Sequence, residues 1–194
     1  VLMGAFDVAN KLFDIHFVER EDLPKYRENI RSFEVKNDQE ETIGIFYTDY
    51  TLRPNKGGGA WMNTFRSQSK FDGNVIPLVV NVCNFPPENE DGVILLSFEQ
   101  VETLFHEFGH ALHGLLSEAN YPSLSGTSVT RDYVEFPSQM MENWAREPEV
   151  IKSFARHYKT GESIPDDLLA KISEAGTFNE GFGTTEYVAA AHLD

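Results

Sequence analysis

One cysteine in 194 residues, Cys83, excludes an internal disulfide and fits a reducing compartment such as the cytoplasm. Its apolar surroundings make it core packing in a strand rather than a nucleophile. No run of apolar residues approaches the roughly 20 positions that a bilayer-spanning helix needs. Basic residues are scarce as well: 16 Lys and Arg against 31 Asp and Glu leave a formal charge of −15. Nucleic acid needs a basic footprint for its phosphates, and an anionic membrane surface repels such a chain, so neither is an expected partner. Residues 1–10 lack the basic start and small-residue cleavage site of a signal peptide, which points away from secretion. Internal repeats and low-complexity linkers are also missing. What is present is 41% hydrophobic, in a length that buries one substantial core and hardly two.

The pattern along the chain predicts an α+β catalytic core. A helix is expected from Val1 to about Phe13. Arg31 to Lys36 alternates as a strand, residues 37–40 turn, and Thr42 to Thr48 pairs back as a hairpin. Val75 to Cys83 reads as another apolar strand, with Pro77 marking an edge or its beginning. Residues 1–96 are thus a helix plus a strand-rich part, and residues 97–194 a helical part. Pro148 and Pro165 sit where first-turn prolines belong, and Gly161 and Gly176 look like helix C-caps.

The segment His106, Glu107, Phe108, Gly109, His110 carries the chemistry. Two imidazoles four residues apart with a carboxylate behind the first form the zinc-hydrolase pattern H-E-x-x-H. On a helix they lie about 40° apart around the axis and about one turn apart along it, so both rings reach one ion. Glu107 projects about 100° away from His106, suited to a general base beside the metal rather than to ligation. The helix itself is well marked. Ser97 and Gln100 read as a capping box. Val101, Leu104, Phe105, Phe108, Ala111, Leu112, Leu115 and Leu116 recur at helical spacing, and no proline interrupts residues 98–119.

Catalytic zinc takes three protein ligands and keeps a fourth position for water. His113 lies on the same face, but about 10.5 Å along the axis from His106, which assigns it to support or packing rather than ligation. After a loop at residues 121–127, a second helix opens within residues 131–144, with Pro137 near its start or at a kink. Run antiparallel to the first, that helix delivers a carboxylate to the metal. Asp132, Glu135 and Glu142 all qualify on chemistry, and spacing prefers none of them. The run Gly57, Gly58, Gly59 is a loop or bulge, or a place where a substrate backbone approaches an exposed strand edge. No Lys–Ser/Thr pair and helix follow it, so a phosphate-binding loop does not fit. Tyr47 and Tyr50 read as sheet packing.

Residues 106–113, together with Ser125, Gly126, Thr127 and residues 131–139, resemble the thimet oligopeptidase family of zinc metallopeptidases (M3). The stretches from Asn55 to Met62 and from Asn81 to Phe85 add to the resemblance. The latter, with Val1 to Phe6, is most similar to the peptidyl-dipeptidase (dipeptidyl carboxypeptidase) branch, with oligopeptidase A-like relatives second. The resemblance implies a zincin-like core binding one Zn²⁺ through His106, His110 and Glu135, with Glu107 as the base. It makes Asp132, Gln139, Glu142 and His113 candidates for orienting those ligands, and Gly58, Gly59, Ala60 and Trp61 candidates for lining the substrate cleft. It implies hydrolysis of short peptides, releasing C-terminal dipeptides or, alternatively, cutting internally. Family members are several times longer and carry oxyanion-stabilising tyrosine and histidine further on. The expectation is therefore a catalytic-core fragment that binds zinc and cleaves poorly. The competing class is a non-catalytic module in which zinc ties two helices together.

Overall fold

A computed structural model describes residues 1–193. It divides into two compact units, Val1–Phe154 and the part from Ala155 onward. Helix α1 (Leu2–Phe13) buries Gly4, Ala5, Phe6, Val8 and Ala9 and stops where Asp14 turns left-handed, at φ 52°. Five strands follow: β1 (His16–Glu19), β2 (Arg31–Lys36), β3 (Thr42–Thr51), β4 (Trp61–Arg66) and β5 (Leu78–Phe85). They form one sheet in the order β1-β2-β3-β5-β4. The expected hairpin is β2 against β3, with Phe33 opposite Phe46. β5 runs parallel to β3 and antiparallel to β4, so β4 is an edge strand. Pro77 stands directly before β5, and β5 is an interior strand.

β1 and β4 have no counterpart in the sequence reading. β1 has only four residues, and β4 shows the half-exposed pattern of a short edge, with Met62 and Thr64 as its less exposed positions. Interior β5 is buried almost throughout, including the polar Asn81 between its apolar residues.

Helix α2 (Phe98–Leu115) begins with the expected capping box. The Gln100 amide N–H donates to Ser97 Oγ at 3.3 Å, and the Ser97 N–H donates to Gln100 Oε1 at 3.0 Å. Its apolar stripe, including Leu104, Phe105, Phe108, Leu112 and Leu115, packs with Phe6, Phe33, Phe46, Val79 and Phe85 into the main core. Each such side chain contributes about 1.5–3 kcal/mol on burial. Cys83 belongs to this core and is fully buried. Ile30, Ile45, Tyr47, Val80 and Val82 form a smaller cluster of their own.

Helices α3 (Phe136–Arg146) and α4 (Pro148–Phe154) complete the first unit. The second unit holds an isolated bridge between Arg156 and Ser163, then α5 (Asp166–Thr177) and α6 (Glu180–Leu193). Pro148 opens α4, and Pro165 immediately precedes α5. Neither glycine expected as a C-cap is one. Gly161, at φ +74°, donates its N–H to His157 O in a tight reversal between the two bridged residues. Gly176 lies inside the last turn of α5, whose C-cap is Phe178.

Candidate metal centre

The first two donors come from α2. His106 and His110 lie one turn apart, with ring centroids separated by 4.9 Å and planes at 84°. Their helix crosses α3 in antiparallel fashion, as the cross-links between them record. Arg146 Nε lies 2.5 Å from Glu102 Oε1 as an ion pair, and one turn further along α2 His106 Nδ1 lies 2.6 Å from Glu142 Oε1. Further still, Gly109 faces Pro137 and Ser138. A Cβ on Gly109 would sit 2.6 Å from Ser138 Cα and 2.7 Å from Pro137 O, so only glycine admits this approach of backbone to helix.

That approach brings the residue before α3 to the histidines. Glu135 Oε2 lies 3.2 Å from His106 Nε2 and 3.0 Å from His110 Nε2. Donor atoms of all three residues fall within 4.8 Å of one another. Tetrahedral bonds of 2.0–2.1 Å place neighbouring ligand atoms roughly 3.3 Å apart, so the set has the right size for zinc. The charge pattern fits as well. Where the neutral His106 ring donates Nδ1–H to Glu142, its Nε2 lone pair faces a carboxylate oxygen, an arrangement that a cation between them satisfies. Burial lowers the His110 pKa, against the raising effect of Glu135, and so favours the neutral ligand form. Burial alone would raise the Glu135 pKa, but the Ser138 hydroxyl and both histidines outweigh it and hold the pKa below the usual value.

Glu107 faces the same space from the inner side. Its side chain is 5% exposed, and Oε2 is buried with no hydrogen-bond partner. Desolvation pushes its carboxyl up to about 7, with Glu135 adding to the rise and His106 opposing it. An open cavity of about 360 Å³ is bounded by these four residues and, on the other wall, by Ala60, Trp61 and Met62 at the start of β4. A second, of about 520 Å³, shares Ala60, His106 and Glu107 and extends toward Glu99, Glu102 and Glu142.

Comparison with known proteins gives this arrangement a family. Peptidase family M3 matches residues 1–194. The chain belongs to that family. Among its relatives, dipeptidyl carboxypeptidase of Escherichia coli (strain K12) is 44% identical over 191 residues, 98% of this chain and 28% of that protein. Oligopeptidase A of the same strain is 40% identical over 178 residues, 90% of this chain and 26% of that protein. The organellar oligopeptidase A of Arabidopsis thaliana is 36% identical over 202 residues, all of this chain and 26% of that protein. The chain thus spans little more than a quarter of the length of these relatives.

Of the supporting residues read from the sequence, this M3 chain brings only Glu142 to a ligand histidine. Asp132 and Gln139 are exposed, and neither side chain makes a hydrogen bond to His106 or His110 among the described residues. Asp132 precedes α3, and Gln139 lies one position past the face that Ser138 turns into α2, so neither points at the rings. His113 is too far along α2. Its ring meets that of Tyr133 at 6.2 Å, and its buried Nδ1 has no partner.

Ala60 and Trp61 line the cavity, whereas Gly58 and Gly59 do not. Those glycines belong to the preceding loop, where Asn84 Nδ2 donates to Gly57 O and Gly59 O, each at 2.8 Å. Lys56, 3% exposed, anchors the same loop by donating to Asp49 Oδ1 at 3.0 Å and Asp49 O at 2.8 Å. Tyr47 and Tyr50 line neither cavity, as sheet packing requires.

Three features escape the sequence reading. Gly109 is hidden because the motif tolerates any residue there, and only the neighbouring helix demands glycine. Ser138, fully buried beside Glu135, reads as an ordinary first-turn serine. The third is a buried polar set. Tyr50 Oη and the Asn81 side chain are buried next to each other, and burial raises the Tyr50 pKa, with Cys83 and Glu107 adding to the rise and Asn81 opposing it.

Proposed function

We propose that this chain carries the zinc-binding, peptide-hydrolysing centre of an M3 metallopeptidase of zincin-like fold. His106, His110 and Glu135 hold the metal, and Glu107 is the base. The observation that carries the reading is a desolvated carboxyl, Glu107, lining the same cavity as three donors close enough together to share one metal ion. A bound zinc ion supplies Lewis acidity, which lowers the pKa of a water molecule to about 7 and polarises a scissile carbonyl.

The chain's own residues do the rest. The Glu107 carboxylate receives the proton of the attacking water and passes it to the leaving amine, a task suited to a carboxyl whose pKa desolvation has pushed to about 7. Glu142 fixes the tautomer of His106 by accepting its Nδ1–H at 2.6 Å. The peptide lies along the free edge of β4, whose first residues form the wall opposite the histidines, and pairs with it as an added strand. Similarity to dipeptidyl carboxypeptidase supports release of C-terminal dipeptides from short peptides, and similarity to oligopeptidase A supports internal cleavage as the second reading. Among the described residues no helix is long and apolar enough to cross a membrane, and the buried Cys83 suits a cytoplasmic setting.

A purely structural zinc site calls for a fourth protein ligand and leaves Glu107 without a task. Zinc content measured beside hydrolysis of a short peptide separates the two readings. Glu135→Ala loses the metal, whereas Glu107→Gln keeps it and loses about 10²–10⁴-fold in rate. Full zinc occupancy in Glu135→Ala rejects the ligand set, and unimpaired hydrolysis by Glu107→Gln rejects the base. Cleavage of a free but not an amidated C-terminal peptide assigns the dipeptidyl carboxypeptidase mode.

A further inference from the structure

Glu135 is an unusual anchor for a metal. Its side chain is 51% exposed, it has three rotatable torsions, and it stands outside the helix it precedes. No side-chain cap bond ties it to the first turn of α3. Among the described residues, the side chain that hydrogen-bonds to its carboxylate besides the two imidazoles is Ser138, whose Oγ lies 2.9 Å from Oε2, the same oxygen that faces both histidine nitrogens.

Ser138 has one proton and two acceptors in reach, because Oγ is also 2.8 Å from the Glu135 main-chain O. That carbonyl already accepts the Gln139 N–H at 2.9 Å. Among the described residues the carboxylate oxygen has no other hydrogen-bond donor apart from the rings, and those nitrogens must be lone-pair donors when a metal is bound. The hydroxyl proton therefore belongs on Oε2. Ser138 is fully buried, and its backbone is pressed against Gly109, so Oγ cannot swing away to water.

We infer that Ser138 is a positioning residue for the metal site: its hydroxyl, carried on a backbone held by the Gly109 contact, occupies one lone pair of Glu135 Oε2 and aims the other at the space between His106 Nε2 and His110 Nε2. The inference rests on the ligand set proposed above. It makes the preorganisation of the third ligand depend on one hydroxyl that does not itself reach the ion.

The test is zinc affinity by chelator competition on the full chain, with the melting temperature of the metal-free protein measured in parallel. Ser153→Ala is the control, because Ser153 makes the same i−3 hydroxyl bond, to Val150 O at 2.7 Å, with no carboxylate attached. Ser138→Ala is expected to weaken zinc binding about 10- to 100-fold, while its metal-free melting temperature matches that of Ser153→Ala. The cobalt-substituted protein gives a second readout. Its visible d–d bands shift in Ser138→Ala and stay in place in Ser153→Ala. Wild-type affinity and unchanged cobalt bands in Ser138→Ala, in a protein that loses zinc on Glu135→Ala, overturn the role of Ser138 alone. Zinc binding that survives Glu135→Ala overturns the ligand set and this inference together.

Discussion

The two helices that share the metal site are stabilised in opposite ways. α2 is specified by its own sequence: a complete capping box, 18 residues, and a stripe that fills the main core. The spacing of His106 and His110 follows from helix geometry alone. α3 is short, has no side-chain cap, and buries only Ser138, Met141 and Ala145. Where a capping carboxylate would turn onto the first N–H groups, Glu135 turns away to the imidazoles. Its position is set by what α3 touches on α2. Half of the candidate site is therefore intrinsic to one segment and half is borrowed through a helix contact.

The strongest way to break this contrast is Gly109→Ala, which leaves both histidines on α2 and disturbs only the borrowed half. The added methyl meets backbone of Pro137 and Ser138, so α3 must move. Zinc affinity is expected to fall about a hundredfold or more. Overpacking costs about 1–3 kcal/mol of stability, which a thermal melt reads directly. Near-wild-type zinc affinity would show that Glu135 finds the metal without the helix contact. Glu142→Ala comes next, removing the second contribution of α3, the carboxylate on His106 Nδ1. An affinity loss of about 10- to 100-fold is expected with the fold retained. If the loss is absent, α3 supplies Glu135 and nothing more.

Legibility followed the same division. Periodicity, capping residues and proline placement revealed α1, the β2–β3 hairpin and α2, because each is governed by neighbours within a few positions. Among Asp132, Glu135 and Glu142, spacing gave no preference, since the answer depends on how two helices cross. Only similarity to a family singled out Glu135. Asp132 and Gln139 illustrate the cost of reading α3 alone: both are near the ligand in sequence, yet both stay exposed. β4, the opposite wall, was missed as a strand because its edge position leaves few buried residues to mark it. Gly161 marks a left-handed turn rather than a helix end, and Gly176 is carried within the last turn of α5, two uses of glycine that the local pattern does not separate from a C-cap.

The loop before β4 extends the contrast to the other wall and to pH. Asp49 is 2% exposed and binds Tyr26 Oη at 2.8 Å, Arg53 Nη2 at 2.8 Å and Lys56 Nζ at 3.0 Å. Burial alone would raise its pKa, but the bonds to Arg53, Lys56 and Tyr26 hold it at about 2, below the ordinary 3.8. A depressed carboxyl stabilises the fold above its unfolded pKa, and the stabilisation disappears as pH falls from about 3.8 through about 2. Asp49→Asn should lower stability at neutral pH and flatten the acid limb of a denaturation curve in that window. An acid limb as steep as that of wild type would place the titrating group elsewhere.

The smallest expected effect is the sharpest test of what α2 holds by itself. Ser97→Ala removes one half of the capping box and should cost about 1 kcal/mol, a fall of roughly 2–4 °C in melting temperature for a chain of this size. Yet His106 sits well inside the helix, and between cap and ligand the buried Val101, Leu104 and Phe105 pin α2 to the core. Fraying at Ser97 should stop at those side chains, leaving the imidazoles where they are. Zinc affinity measured far below the melting temperature should therefore be unchanged, while the melt shifts. An affinity loss as large as that of Glu142→Ala would mean that the ligand spacing depends on the end of the helix. In that case α2 would be no more self-sufficient than α3.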